Sequence, residues 1–255
     1  MRNARVSIAI VIMLVAAWEA AVRDLAIPEW KLPAPSLVFD TLVNDWSVLG
    51  PAFAATLQVT LAGLALAIIG GVGIGLIASR SRLLENAISP IAVILQVTPL
   101  VAIAPLLIIY IGAQATLYVA AFLVAFFPML TGTLAGLRAV DPALSDLFAV
   151  YGANATQRLW RLEAPSALPF MMAGLRTAGG LALIGAVVAE FVAGTVGDQA
   201  GLAYRIVEAS YRLNMPRLFA ALALIALTGV IIYALTGLAS RIVLARWSEQ
   251  RAMAD

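Results

Sequence analysis

The side chains best suited to chemistry lie together in residues 141–165, DPALSDLFAVYGANATQRLWRLEAP. Asp141 before Pro142 is an N-cap followed by proline at the first helical position, and Gly152 supplies a helix end some ten residues on. Asn154 with Gln157 three residues later then opens a second helix as a capping box, and Pro165 is expected to stop it. Leu144, Leu147, Phe148 and Tyr151 recur at helical spacing on the first helix, and Leu159, Trp160 and Leu162 stand beside Arg158 and Arg161 on the second. Aromatic rings and arginines on one projecting knob suit recognition of a protein surface. The same residue types would also lie well on anionic lipid headgroups.

Bond-making chemistry has little to work with. The chain has no histidine and no cysteine, which removes the commonest general base, thiolate nucleophiles and the usual metal ligands. Lys31 is its one lysine and no G-x-x-x-x-G-K-[ST] run is present, so a P-loop for ATP phosphates is excluded. The segment 71–75, GVGIG, follows no strand and reads as helix packing rather than a dinucleotide loop. A net charge of +2 is too small for a nucleic-acid footprint.

The elements around the knob are those of an all-α integral membrane protein. Hydrophobic residues make up 63% of the chain and charged ones 12%, and the apolar residues come in runs long enough to cross a hydrocarbon core about 30 Å thick. Six such runs are expected as membrane helices, at 6–22, 54–78, 87–111, 117–137, 168–191 and 218–242. Pro99 and Pro105 interrupt the third and Pro128 the fourth. The first run begins with Arg2 and Arg5 in the manner of a signal peptide, but Trp18 and Glu19 spoil its only small-residue cleavage sites, so a retained helix is expected.

Arginine placement sets the expected orientation. Arg2, Arg5, Arg80, Arg82, Arg138, Arg158, Arg161, Arg241, Arg246 and Arg251 fall on one side of the six-helix arrangement. Arg23, Lys31, Arg205, Arg212 and Arg217 fall on the other, diluted by Asp24, Glu29, Asp40, Asp45, Asp198 and Glu208. Both termini and the knob are therefore expected in the cytoplasm. The opposite side holds a short surface helix within 29–51 and the segments GTVGDQAG and YRIVEASYRLN. This divides a single domain, 1–255, into an N-terminal helix at 6–22, an outer segment at 23–53, a core at 54–242 and a two-helix loop at 139–166.

Polar groups inside hydrocarbon are costly unless they meet a cavity or another helix. Gln58, Thr60, Gln96, Thr98 and Glu190 are the candidates for a translocation path, with Pro99 freeing backbone carbonyls beside Thr98. The alternative for Gln96 and Thr98 is a hydrogen bond to a neighbouring helix, and for Glu190 a carboxylate at headgroup level. Arg176 reads as snorkelling to the interface or attracting an anion. Glycines between 63 and 75 and between 174 and 185 permit close helix approach.

The knob resembles the EAA loop of bacterial ABC importer permeases, written E-A-A, three residues, G, nine residues, I-x-L-P. Gly152 and Pro165 match directly, Asp146 stands at the glutamate, Leu147 and Phe148 at the two alanines, Leu162 at the isoleucine and Ala164 at the leucine. LPAPSLVFDTL, ILQVTPLVAIAPLLIIYIG, FFPMLTGTLAGLRAVDP, LPFMMAGLRTA and VVAEFV look like successive segments of the branch that imports sulfonates, taurine, nitrate and pyrimidine precursors. The resemblance implies a type I ABC importer permease fold in a bacterial inner membrane, with two copies forming the path. It implies that Asp146, Leu147, Phe148, Tyr151, Gly152, Ala153, Arg158, Arg161, Leu162 and Pro165 couple to a cytosolic ABC ATPase. ATP and Mg would then belong to that partner, with no cofactor on this chain, and a periplasmic or lipid-anchored binding protein would deliver a small organic or oxyanion nutrient. VVAEFV and Tyr151-Gly152-Ala153 look closer to the pyrimidine-precursor members. An ion-driven carrier would want buried paired carboxylates and an internal repeat, neither of which stands out, and a non-transporting scaffold would use the same knob for recruitment alone.

Overall fold

The computed structural model describes residues 2–194 and 200–252, and the side chains of all of these except 2–5, 7, 8, 89 and 246–252. Asp198, most of the GTVGDQAG stretch and the side chains of Arg2, Arg5, Arg246 and Arg251 lie outside the described residues. The described chain is helical, without strands: α1 Arg2–Asp24, α2 Pro35–Asn44, α3 Trp46–Ala78, α4 Arg82–Val97, α5 Leu100–Ile111, α6 Ala113–Arg138, α7 Pro142–Val150, α8 Ala155–Arg158, a π-helical turn Leu159–Glu163, α9 Ala164–Ala193, α10 Leu202–Tyr211 and α11 Met215–Ala252.

Four stretches among the described residues are long and apolar enough to cross a membrane: α3, α6, the continuous helix Ala155–Ala193, and Met215–Ala245 of α11. The expected run 87–111 is instead two helices, α4 and α5, bent by 100°, and counts as a fifth span if the pair crosses as one. Six spans were expected and four or five meet this test; the 6–22 run is helical within α1. The break falls at Pro99, which restricts Thr98 to extended backbone (ψ 122°) and has no amide to donate to the preceding turn. Pro105 and Pro128, also expected to interrupt, stay inside α5 and α6. A helix in lipid has no water to take over its carbonyls, so a single missing bond is tolerated where packing holds the helix.

The chain forms two compact units. The first comprises Met1–Thr56 and Gly194–Leu227. Its core is Leu49 and Ala52 of α3, Leu202 of α10 and Ala220, Ala221 and Leu224 of α11. The Leu202 amide donates to Thr56 Oγ1 at 2.9 Å, and Arg217 Nε donates to Asp45 Oδ2 at 2.7 Å. Glu19 of α1 accepts from the Ser36 amide at 3.0 Å and from its hydroxyl at 2.8 Å, which fixes the start of α2.

The second unit comprises Leu57–Ala193 and Thr228–Asp255. α6 is its central helix, and Ala125, Phe126, Phe127, Met129, Leu130 and Leu134 form a core with Leu64 and Ala67 of α3 and Ala178 and Ala182 of α9. Ile88 and Ala92 of α4 rest against the same core. The approach of α9 to α6 is closest at Gly174, where a Cβ would lie 2.6 Å from the Pro128 carbonyl oxygen. Only glycine permits that backbone contact, which is how helices associate where lipid is as apolar as leucine.

Candidate functional site

The knob follows α6 directly, and its two ends are fixed by local hydrogen bonds. Asp141 accepts from the Ala143 amide at 2.9 Å and so caps α7, with Pro142 at its first position. The C-terminus is a Schellman arrangement: the Ala153 amide donates to Phe148 O at 3.0 Å while Gly152 takes φ +67°, the left-handed region that disfavours a side chain. Asn154 Oδ1 then accepts from the Gln157 amide at 2.8 Å and Gln157 Oε1 accepts from the Asn154 amide at 3.0 Å, completing the expected capping box.

Pro165 does not stop the second helix. α8 passes through the π-helical turn into α9 without a break, so residues 155–193 form one helix. In that turn the Ala164 amide donates to Leu159 O, five residues back, and the widened turn makes room for the proline ring that an α-helical turn would exclude. The turn also changes which side chains meet. Arg158 and Glu163, five apart and on different faces of an α-helix, form an ion pair at 2.8 Å. That pairing was not legible from helical spacing, because spacing of five aligns only in a π turn.

Leu147, Phe148, Tyr151, Ala153, Gln157 and Arg161 line one concavity of about 330 Å³ between the two short helices. Tyr151, in its lining, and the neighbouring Val150 are more than four-fifths exposed, and Asp146, Gly152 and Arg158 are exposed. Leu162, also of the knob, is 5% exposed, and Pro165 is half-buried. Glu163 bridges Arg158 and, at 3.2 Å, Arg80 from the turn after α3. Glu85 of α4 pairs with Arg138 at the end of α6. Arg158, Glu163, Glu85 and Arg138 line a second cavity of about 640 Å³ together with Ser79, Arg82, Asn86 and Ser145.

The polar candidates in the spans fall into two places. Gln96 and Thr98 line a cleft of about 240 Å³ at the α4–α5 elbow with Phe127, Pro128 and Leu181, and Pro99 is exposed beside it. Thr98 Oγ1 donates to Ile94 O at 2.7 Å, ending α4. Gln58, Thr60 and Glu190 instead adjoin a cluster of Val59, Leu117, Ala120, Ala186 and Ala189, against which Leu100 packs. Gln58 Nε2 donates to Tyr118 Oη at 3.3 Å and Thr60 is fully buried. Glu190 is 3% exposed, buried within the protein. Arg176 donates to Tyr233 Oη at 2.8 Å and lies over that ring, 5.0 Å from its centre.

Residues 71–251 match the family model of the binding-protein-dependent transport system inner membrane component. The chain belongs to that family. It is 37% identical over 241 residues to a riboflavin transport system permease protein of Chloroflexus aurantiacus, covering 92% of this chain and 87% of the relative. It is 32% identical over 225 residues to a formylaminopyrimidine transport permease protein of Halalkalibacterium halodurans, covering 88% of each. Among solved structures, the inward-facing MetNI methionine ABC transporter matches with a TM-score of 0.66 at 17% identity, over 77% of this chain and 96% of that one. The fold is therefore that of a type I ABC importer permease, as the knob's resemblance implied. This permease is a multi-pass inner membrane subunit of an ABC importer and carries no catalysis of its own.

Proposed function

We propose that two copies of this permease form the path for a small nitrogen heterocycle, and that the 141–165 knob couples the path to a cytosolic ABC ATPase. The observation that carries the coupling reading is the capped knob itself: two short helices locked at a glycine corner, with Leu147, Phe148, Tyr151 and Arg161 around one concavity and the Val150 and Tyr151 side chains bare. An apolar pocket rimmed by arginine suits insertion of a partner side chain and desolvation of a small patch. A soluble, preorganised knob is also what a rigid push requires, since a flexible loop would absorb the displacement. ATP and Mg²⁺ belong to the partner subunit, and both termini of the permease lie on the partner's side of the membrane, where the positive charge concentrates.

A binding protein on the opposite side delivers the solute, in keeping with the family's description. The heterocycle reading rests on the relatives at 37% and 32% identity, whose names specify riboflavin and formylaminopyrimidine. The elbow cleft agrees with such a solute: its lining is mostly apolar, with Phe127, and includes the Gln96 amide, which both donates and accepts. Reconstituting the permease with its copurified ATPase and binding protein in proteoliposomes tests the assignment. ATP-dependent uptake of labelled riboflavin or formylaminopyrimidine is expected, with taurine excluded. Uptake that runs on an ion gradient without ATP would contradict it.

A further inference from the structure

We propose that Glu163 is a coupling clasp, a positioning residue that ties the knob to the start of α4 so that the two move as one body. The inference rests on the coupling reading above and names a device within it. Glu163 is 13% exposed, and it pairs with two arginines that arrive from different parts of the chain, accepting a hydrogen bond from Arg80 at 3.2 Å. Arg158 belongs to the knob, whereas Arg80 stands in the turn between α3 and α4, two residues before α4 begins. The Glu85–Arg138 pair makes a second tie, from the first turn of α4 to the last turn of α6. Thus ion pairs flank the knob at both ends: Glu85 of α4 with Arg138, where the chain enters it, and Arg80, two residues before α4, with Glu163, near where the chain leaves it.

The arrangement is suited to relay rather than to plain adhesion. Glu163 occupies the π-helical turn, the one place on the path from knob to α9 where the hydrogen-bond register is already displaced. Glu163, Arg158, Glu85 and Arg138 line the 640 Å³ cavity, so these charges sit beside open space. α4 then runs for 16 residues, about 24 Å at 1.5 Å per residue, to the Thr98–Pro99 elbow and its cleft. A displacement of the knob by its partner therefore reaches the elbow cleft through α4, provided Arg80 and Glu163 stay joined.

The absence of cysteine from the sequence permits a direct test. Leu83→Cys on α4 and Ala143→Cys on α7, both exposed, carry spin labels in the permease reconstituted with its copurified ATPase in nanodiscs. The distance between them is read without nucleotide and after trapping with ATP and vanadate. With the clasp intact the distance should hold between the two states. In Glu163→Gln and in Arg80→Gln it should shift on trapping by more than about 2 Å, the scale of helix displacements in such transitions. Arg80→Lys, which keeps the charge, should restore the constant distance, with ATPase recovered at the wild-type ratio throughout. A constant distance in Glu163→Gln, a shift already present in the unmutated background, or loss of ATPase capture in Glu163→Gln would overturn the clasp. Failure of the unmutated permease to capture any ATPase would instead overturn the coupling reading on which it stands.

Discussion

Asn154 and Gln157 cap each other across the corner of the knob: each side-chain oxygen accepts from the other's backbone amide, at 2.8 and 3.0 Å. Two amide donors that α8 would otherwise leave open are satisfied at once. Asn154→Ala should cost about 1 kcal/mol of local stability. The expected readout is faster hydrogen exchange confined to residues 153–158, with membrane insertion and the spans unchanged. Unaltered exchange there would show that packing, not the cap, holds the corner.

Gly174 and Pro128 make the tightest backbone approach between α9 and α6 described above. Gly174→Ala places its Cβ against a carbonyl oxygen rather than a flexible side chain, and overpacking of this kind costs about 1–3 kcal/mol. The thermal unfolding midpoint in detergent should fall. Gly180→Ala on the same helix, where a Cβ meets nothing within 4 Å, should leave it in place.

Pro99 and Thr98 make the elbow, and the elbow places Gln96 at the cleft. Pro99→Ala restores an amide and frees Thr98 for helical backbone, which favours a straighter α4–α5 pair. ATP-driven uptake should fall while ATPase capture stays at the wild-type ratio, because the knob is untouched. Equal loss of both would mean that the elbow supports the whole fold rather than the path.

Glu208 of α10 titrates below the ordinary glutamate range, chiefly because Arg205 donates to its carboxylate, against the opposing effect of burial. Arg212 adds a second ion pair at 3.0 Å. A carboxyl whose folded pKa lies below its unfolded value contributes stability above the unfolded pKa, near 4.3. That contribution disappears as pH falls from there through the folded value. The unfolding midpoint of the wild type should therefore exceed that of Glu208→Gln at pH 7, and the two should converge under acid. A difference that persists in acid would assign the effect to shape rather than charge.

The parts of this molecule that were legible in the sequence are those governed by short-range chemistry. Asp141, Gly152 and the Asn154–Gln157 box each act on amides within a few residues, so their identities alone place the helix ends. The long apolar runs were legible because lipid leaves the backbone no alternative to a helix. What escaped depends on neighbours far away in sequence. Pro165 resembled a stop signal, but the π turn before it lets the helix continue. That same turn brings Arg158 onto Glu163, and Arg80 reaches Glu163 from 83 positions away. The burial of Glu190 and Leu162 is likewise set by which helix lies alongside, which no local pattern records.

The central claim is that the knob is the seat of a partner ATPase, and Gly152 tests it most directly. Gly152 holds φ +67°, where any side chain is strained, although nothing lies within 4 Å of where a Cβ would stand; asparagine and aspartate bear this backbone region best, so Gly152→Asn is the control for strain and Gly152→Asp adds the charge. That charge falls next in sequence to Tyr151 of the Leu147–Phe148–Tyr151 concavity. Tagged wild-type, Gly152→Asn and Gly152→Asp permeases, at matched membrane abundance, are drawn from native membranes in mild detergent and the copurifying proteins quantified by mass spectrometry. A P-loop ATPase recovered in stoichiometric amount with the wild type and Gly152→Asn, and reduced at least about tenfold with Gly152→Asp, a loss equal to about 1.4 kcal/mol of binding, is the predicted result. Equal recovery with all three would contradict the account.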